Sequence, residues 1–266
     1  MAWEIPERVT TVFVGIPHQG LVSASWAMNV LRALGPYLQQ VKVFTIHGYP
    51  IDVSRVSFVE QAIANNADYV YFLDSDIYTT PETLRRLISL NLPIVTALYY
   101  RRHALNVTDE IISHLPENTR KSLQSKRQAG MPVYTCAIWK DFVYRDENGE
   151  EFRGFRPIFD GEFTEGQLIE VDGIPMGCCL IRTDVFRKLP RPWFLWTLGR
   201  DRFTLKDDVS KDIQHRKGVF GCSEDLYFSI LARKYGIPLL CDTSLLVGHE
   251  TRTIVGARGQ FEVIES

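Results

Sequence analysis

The chain has 266 residues, 45% of them hydrophobic, with a formal charge of −2 and a pI near 6.3. That is enough apolar material for a full core in one or two domains, and the near-neutral balance excludes an electrostatic case for nucleic acid or an anionic membrane surface. No apolar stretch approaches the roughly 20 residues of a transmembrane span, and residues 1–8 lack the apolar centre of a signal peptide, so a cytoplasmic protein is expected. The five cysteines are odd in number and lack Cys-x-x-Cys spacing, which predicts buried free thiols and neither a zinc site nor a disulfide framework.

In chain order, residues 10–16 are β-branched and apolar and predict a strand stopped by Pro17. After His18-Gln19-Gly20, the spacing of Trp26, Val30, Leu31 and Leu34 predicts an inward helix face, ended at Gly35-Pro36. A second strand is predicted over 41–47. Asp52 is then a candidate cap for a helix that buries Val56, Val59, Ala62 and Ile63. Residues 68–73 form an apolar strand that ends in two carboxylates, Asp74 and Asp76, with Ser75 between them. Thr80-Pro81-Glu82 supplies a cap, a first-turn proline and an early acid for a third helix with Leu84, Leu87 and Ile88 inward. A fourth strand is predicted over 93–98. The order βαβαβαβ predicts right-handed crossovers and a mostly parallel sheet.

Strand ends of such a sheet collect ligands, and this is where Asp74 and Asp76 fall. Two carboxylates this close repel each other unless a cation intervenes, so a divalent metal with a phosphate-bearing ligand beyond it is one reading. A pair of solvated turn aspartates is the other. No Gly-x-Gly-x-x-Gly follows the first strand and no P-loop occurs, which argues against a dinucleotide fold or a P-loop enzyme.

The polar stretch 103–130 predicts one short helix or a mobile loop, either a substrate-facing flap or a surface insertion. Residues 133–144 and 151–158 flank Asp146-Glu147-Asn148-Gly149 and predict a β-hairpin. A strand over 168–172 precedes Gly177-Cys178-Cys179, whose small residues suggest close backbone approach to a ligand or another strand. Trp193 and Trp196, beside prolines, suit either a sugar platform or core packing. Ser223 is a candidate cap for a helix that Gly236 stops, with Leu226, Ile230 and Leu231 as its apolar face, which puts Glu224 and Asp225 in its first turn. There they complement the helix dipole, or serve as a base that the helix N-terminus keeps ionised. Short strands at 238–242 and 245–247 lead to Gly248-His249. Arg252 and Arg258, in a glycine-containing tail, either close over an anion or are solvated.

These segments, taken in order, resemble GT-A fold glycosyltransferases, especially the family 2-like branch found widely in microbes and their viruses. The resemblance rests on Ile16-Pro17, Arg55, Phe72-Leu73-Asp74-Ser75-Asp76 as an Asp-x-Asp motif, Gly177 to Arg182, Leu189 to Phe194, Glu224-Asp225 and Gly248-His249. It covers nearly the whole chain apart from 103–160. It implies a single GT-A domain over 1–266, with a nucleotide-binding half over 1–102, an insert and hairpin over 103–160, and an acceptor half with its tail over 161–266. It further implies a hexosyl transfer from a nucleotide-diphosphate sugar to a hydroxyl of a glycan, lipid or small-molecule acceptor. Asp74, Asp76 and His249 would hold Mn²⁺, or Mg²⁺, on the donor's diphosphate. Pro17, His18, Arg55, Ser75 and Arg252 would line the donor pocket, and Gly177, Trp193 and Trp196 the acceptor side. Asp225 would deprotonate the acceptor in an inverting displacement, with Glu224 as runner-up for that role. A retaining transferase with the same metal site, a haloacid dehalogenase-like phosphatase built on Asp74-Ser75-Asp76 with Asp207-Asp208 as its later acids, and a non-catalytic sugar- or nucleotide-binding module are the competing readings.

Overall fold

The computed structural model describes residues 10–102, 109–113, 115–145, 149, 151–198, 214–216, 219–250, 253–255 and 261–263. The N-terminal part alternates strands and helices as the apolar periodicity predicts: β1 (Val12–His18), α1 (Ala24–Leu34), β2 (Val41–His47), α2 (Ile51–Ala64), β3 (Tyr69–Leu73), β4 (Ile77–Tyr78), α3 (Pro81–Leu90) and β5 (Ile94–Leu98). The insert carries α4 (Asp109–Ser113) and α5 (Glu117–Gln128), then the hairpin β6 (Trp139–Arg145) and β7 (Glu151–Pro157). There follow β8 (Leu168–Glu170), β9 (Cys178–Arg182), α6 (Thr183–Lys188), β10 (Gln214–Arg216), β11 (Val219–Phe220), α7 (Glu224–Lys234), β12 (Leu240–Leu246), β13 (Gly248–His249), β14 (Thr253–Val255) and β15 (Phe261–Val263).

A seven-stranded, mostly parallel sheet in the order β2-β1-β3-β9-β5-β12-β8 forms the centre of this α/β fold, with helices on both faces. β2, β1, β3, β5 and β12 run the same way, while β9 and β8 run against their neighbours. β5 does not pair with β3, because the 178–182 segment inserts between them, Leu73 opposite Cys178 and Ile94 opposite Ile181. Its run Cys-Cys-Leu-Ile is buried on both faces, the pattern of a central strand rather than of a loop against a ligand.

Alternation sorts the core into two layers. Phe13, Val70, Phe72, Cys179 and Ile181 pack against α2, α6 and α7 on one face. Val12, Val14, Tyr71, Leu73 and Leu180 pack against α1 and α3 on the other. Thr80 caps α3 as predicted, accepting from the Thr83 amide, with Pro81 in the first turn. Leu31, expected inward, lies 65% exposed because Ala33 takes its place on the buried stripe of α1. Asp52 does not cap α2. Pro50 occupies that position, and Asp52 accepts from the Val53 and Trp196 amides. The described part of 103–130 holds two helices, α4 and α5, where one short helix or a loop was expected, and Ile112, Leu115, Leu123, Val133 and Phe159 make a small core of their own. All five cysteines are buried thiols outside any disulfide. Among the described residues no helix is long and apolar enough to cross a membrane.

Candidate active site

Arg55 projects from α2 into the interior and joins two elements far apart in sequence. Its Nε donates to Glu224 Oε1 at 3.0 Å, and its Nη2 to Asp74 Oδ1 and Oδ2 at 3.2 and 3.4 Å. The guanidinium lies 5.4 Å over the Phe72 ring and its Nη1 is buried without a partner. Burial alone would lower the Arg55 pKa, but the charges of Asp74 and Glu224 outweigh that and hold it raised.

Asp74 leaves the end of β3 with its amide donating to the Gly177 carbonyl at 3.0 Å. The Gly177 amide donates in turn to the Tyr99 hydroxyl at 3.1 Å. A Cβ at Gly177 would sit 2.4 Å from that hydroxyl. The small residue is therefore explained by Tyr99 rather than by an acceptor, and the close approach foreseen at this position is internal packing.

Asp76 and His249 are brought together by backbone pairing. β13 runs antiparallel to β4, setting His249 opposite Ile77, and the Glu250 amide donates to the Asp76 carbonyl at 2.7 Å. His249 Nδ1 lies 2.9 Å from the Tyr100 carbonyl oxygen. A carbonyl only accepts, so Nδ1 carries the proton and Nε2 is aimed at Asp76 Oδ2, 3.5 Å away. A bare Nε2 lone pair against a carboxylate would be repulsive. Positive charge at this oxygen relieves the contact, whether it is the Arg102 guanidinium, a proton on Nε2 or a cation that both atoms ligate. Arg102 Nη2 reaches the same Oδ2 at 2.8 Å. Burial works to raise the Asp76 pKa, but the interactions with His249 and Arg102 leave it lowered.

A carboxylate oxygen and an imidazole nitrogen backed by a carbonyl fit a divalent cation, with the carbonyl as the outer partner that orients the ring. The set of three ligands expected from the motif is not assembled. Asp74 is engaged by Arg55, and among the described residues no three His, Cys, Asp or Glu side chains group closely enough to hold a metal ion.

At the start of α7, Ser223 stands at the cap position, but its hydroxyl donates to Asp225 Oδ1 instead of capping a backbone amide. The Leu226 amide donates to the same oxygen at 2.8 Å. Burial raises both acids, contrary to the expectation of readily ionised groups. Glu224 is pushed up to about 7, chiefly by desolvation and then by the Asp225 charge, with Arg55 opposing. Asp225 is raised by desolvation against the Ser223 hydrogen bond and Arg55.

The remaining expected residues divide. Buried Pro17 and half-buried His18 end β1, which continues past the proline. The His18 ring stacks on His47 with centroids 5.3 Å apart. Ser75 is half-buried between the two aspartates. Trp193 is core and no sugar platform: it is 4% exposed, packs edge-on against Phe186, and donates to the Leu189 carbonyl. Trp196 is 41% exposed and its amide is held by Asp52. Arg252, Arg258, Asp207 and Asp208 lie outside the described residues. Tyr99, Tyr100 and Arg102 were not anticipated, although they follow β5 directly, and position at a strand's carboxyl end was signal enough to find them.

No protein-family model and no curated protein matches this chain. Among solved structures it is similar to A197 from STIV, with 16% identity over 97% of this chain and 95% of that one and a TM-score of 0.48. It is also similar to GalNAc-T7, solved with UDP, GalNAc and Mn²⁺, with 13% identity over 92% of this chain and a TM-score of 0.45, and spans 44% of that chain. Glucosyl-3-phosphoglycerate synthase from Mycobacterium tuberculosis, solved with Mn²⁺, UDP and glucosyl-3-phosphoglycerate, is similar at 10% identity over 94% of this chain and 79% of that one, with a TM-score of 0.35.

Proposed function

We propose that this chain is a metal-dependent GT-A glycosyltransferase that moves a hexosyl group from a nucleotide-diphosphate sugar to an acceptor hydroxyl. The observation that carries the reading is the Asp76–His249 pair, held by β4 and β13 with the imidazole Nε2 aimed at the Asp76 carboxylate. The ordered resemblance, which adds Ile16-Pro17, Arg55, Gly177 to Arg182, Leu189 to Phe194 and Glu224-Asp225 to that pair, supports it along the rest of the chain.

In this reading Asp76 Oδ2 and His249 Nε2 hold Mn²⁺, which a mixed nitrogen and oxygen donor set favours somewhat over Mg²⁺. When bound, the metal supplies Lewis-acid stabilisation of the departing nucleoside diphosphate. Arg55 fixes the Asp74 carboxylate at the edge of that site. Glu224 is tied to Arg55, so the proton of the acceptor hydroxyl goes to Asp225. Asp225 Oδ1 is already taken by Ser223 and the Leu226 amide, which leaves Oδ2 to receive it. Its raised pKa makes it a stronger base once ionised. A single base facing the anomeric carbon supports inversion. Pro17 and His18 line the nucleotide side.

The test is thermal stabilisation of the chain by UDP-, GDP- and CMP-sugars, each with and without Mn²⁺. One nucleotide should stabilise only when metal is present, by about 2.7 kcal/mol at a hundredfold excess over Kd. Asp76→Ala and His249→Ala should each abolish that shift. Asp225→Asn should keep it and lower turnover by roughly 10²–10⁴-fold. A panel in which nothing stabilises the chain overturns the reading, and normal turnover by Asp225→Asn removes the base assignment.

A further inference from the structure

Behind His249 lies a cleft that the chemistry above uses at no point beyond that histidine. It has a volume of about 450 Å³ and is walled by Tyr100, Arg101, Arg102, Tyr134 and residues 246–249. A second hollow of about 350 Å³, reached past the same two tyrosines, adds Lys126, Pro132 and Asp160. The larger one falls within the ~300–1,000 Å³ typical of small-molecule sites.

We infer that this cleft is the acceptor subsite and that it selects a hydroxyl compound bearing an anionic group, phosphate or carboxylate. The inference rests on the transferase reading and names the acceptor class for it. Three residues with cationic side chains line the two hollows, Arg101 and Arg102 the larger and Lys126 the smaller. Arg102 is held by Asp76. The acid of the second hollow is already engaged: Asp160 Oδ1 accepts from the Tyr100 hydroxyl at 2.7 Å, and its Oδ2 lies 3.9 Å from Lys126. Arg101 makes no ion pair among the described residues, while its amide is pinned to the Thr135 carbonyl. A planar guanidinium fixed at its base and free at its fork matches phosphate or carboxylate with two parallel hydrogen bonds. Tyr134, 46% exposed, lines the same cleft. His249 belongs both to this wall and to the Asp76 pair, so a molecule seated here lies next to the transfer site. The insert supplies Tyr134, Lys126 and Asp160, which gives residues 103–160 a role in acceptor choice.

The test is calorimetric titration of the full chain with methyl glucoside, glucuronate and glucose 6-phosphate, as neutral, carboxylate and phosphate probes. At least one anion should bind at least tenfold more tightly than the neutral sugar, and the better of the two identifies the charged group. Arg101→Gln should lower anion affinity about tenfold toward the neutral level, and Arg101→Lys should retain part of it. Arg101 is exposed, so the variants keep the fold, which an unchanged thermal midpoint would verify. Failure of both anions to bind, equal affinity for the neutral sugar, or full anion affinity in Arg101→Gln overturns the subsite. Any of these beside a metal-dependent nucleotide shift leaves the transferase reading standing. Anion binding without any nucleotide shift overturns the acceptor role.

Discussion

Arg102 and a divalent cation would compete for one oxygen. The guanidinium sits 2.8 Å from Asp76 Oδ2, the atom that also faces His249. Both partners are partly exposed, 40% and 25% at the side chain, so the pair contributes at most about 1 kcal/mol. Arg102→Gln should therefore tighten Mn²⁺ binding by roughly fivefold, that energy expressed as an affinity ratio. Calorimetric titration of Mn²⁺ into both proteins decides it, and an unchanged or weaker affinity would show that the arginine does not shield the site. Glu224 sets a second expectation at this scale. Its folded pKa of about 7 lies above the ordinary 4.5. The folded chain thus holds its proton more tightly than the unfolded one, and the associated stability is full below about 4.5 and lost as pH rises through about 7. The span corresponds to a fall on the order of 3 kcal/mol. Glu224→Gln should flatten the denaturation free energy across that window. A parallel decline in wild type and variant would assign it to another group.

At the scale of elements, the site is held by close contacts between strands that are distant in sequence. β9 wedges between β3 and β5, and Gly177, just before it, carries the Asp74 amide on one side and the Tyr99 hydroxyl on the other. Gly177→Ala would place a methyl 2.4 Å from that hydroxyl and 3.1 Å from Ile77, an overpacking cost of about 1–3 kcal/mol. Tyr99→Phe in the same chain should return part of the loss in urea unfolding. A Gly177→Ala protein as stable as wild type would refute the constraint. Here the limits of sequence reading are physical. Period-2 and period-3.6 patterns are local, so β2, β3, α3 and the 139–157 hairpin were legible from their own residues. Which strand lies beside β5 is decided by a partner some 80 positions away, as Thr96 opposite Cys179 shows, and nothing local records it. The site divides in the same way. Asp76 and His249 were legible as types at strand ends, whereas the capture of Asp74 by Arg55 depends on how α2 docks onto the sheet. Beside its prolines Trp193 suited a sugar platform or core packing alike, and only the Phe186 contact decides for core.

For the molecule as a whole, the Arg55 bridge ties together the end of β3, α2 and the start of α7, reaching 19 residues along the chain to Asp74 and 169 to Glu224. It joins the two proposed halves, through α2 and α7, at the place where the proposed base and metal site must be held in register. Buried ion pairs of this kind contribute little net stability as a set, yet breaking one by removing a single partner is costly. Arg55→Leu should accordingly lower stability by about 3–5 kcal/mol, because Asp74 and Glu224 would remain buried or half-buried without their counter-charge. Arg55→Lys should rescue little, since a single ammonium cannot span both carboxylates with the geometry of a guanidinium fork. The double variant Arg55→Leu/Glu224→Leu should regain a large part of the loss by replacing the buried charges with apolar packing against Phe72 and Phe58. Chemical denaturation of the three proteins separates the outcomes. A single-variant cost below about 1 kcal/mol would show that solvent already satisfies these carboxylates, and that the halves are held in register by the sheet alone. A full cost with no recovery in the double variant would mean that Arg55 acts chiefly through Asp74, leaving the coupling between α2 and α7 without energetic weight.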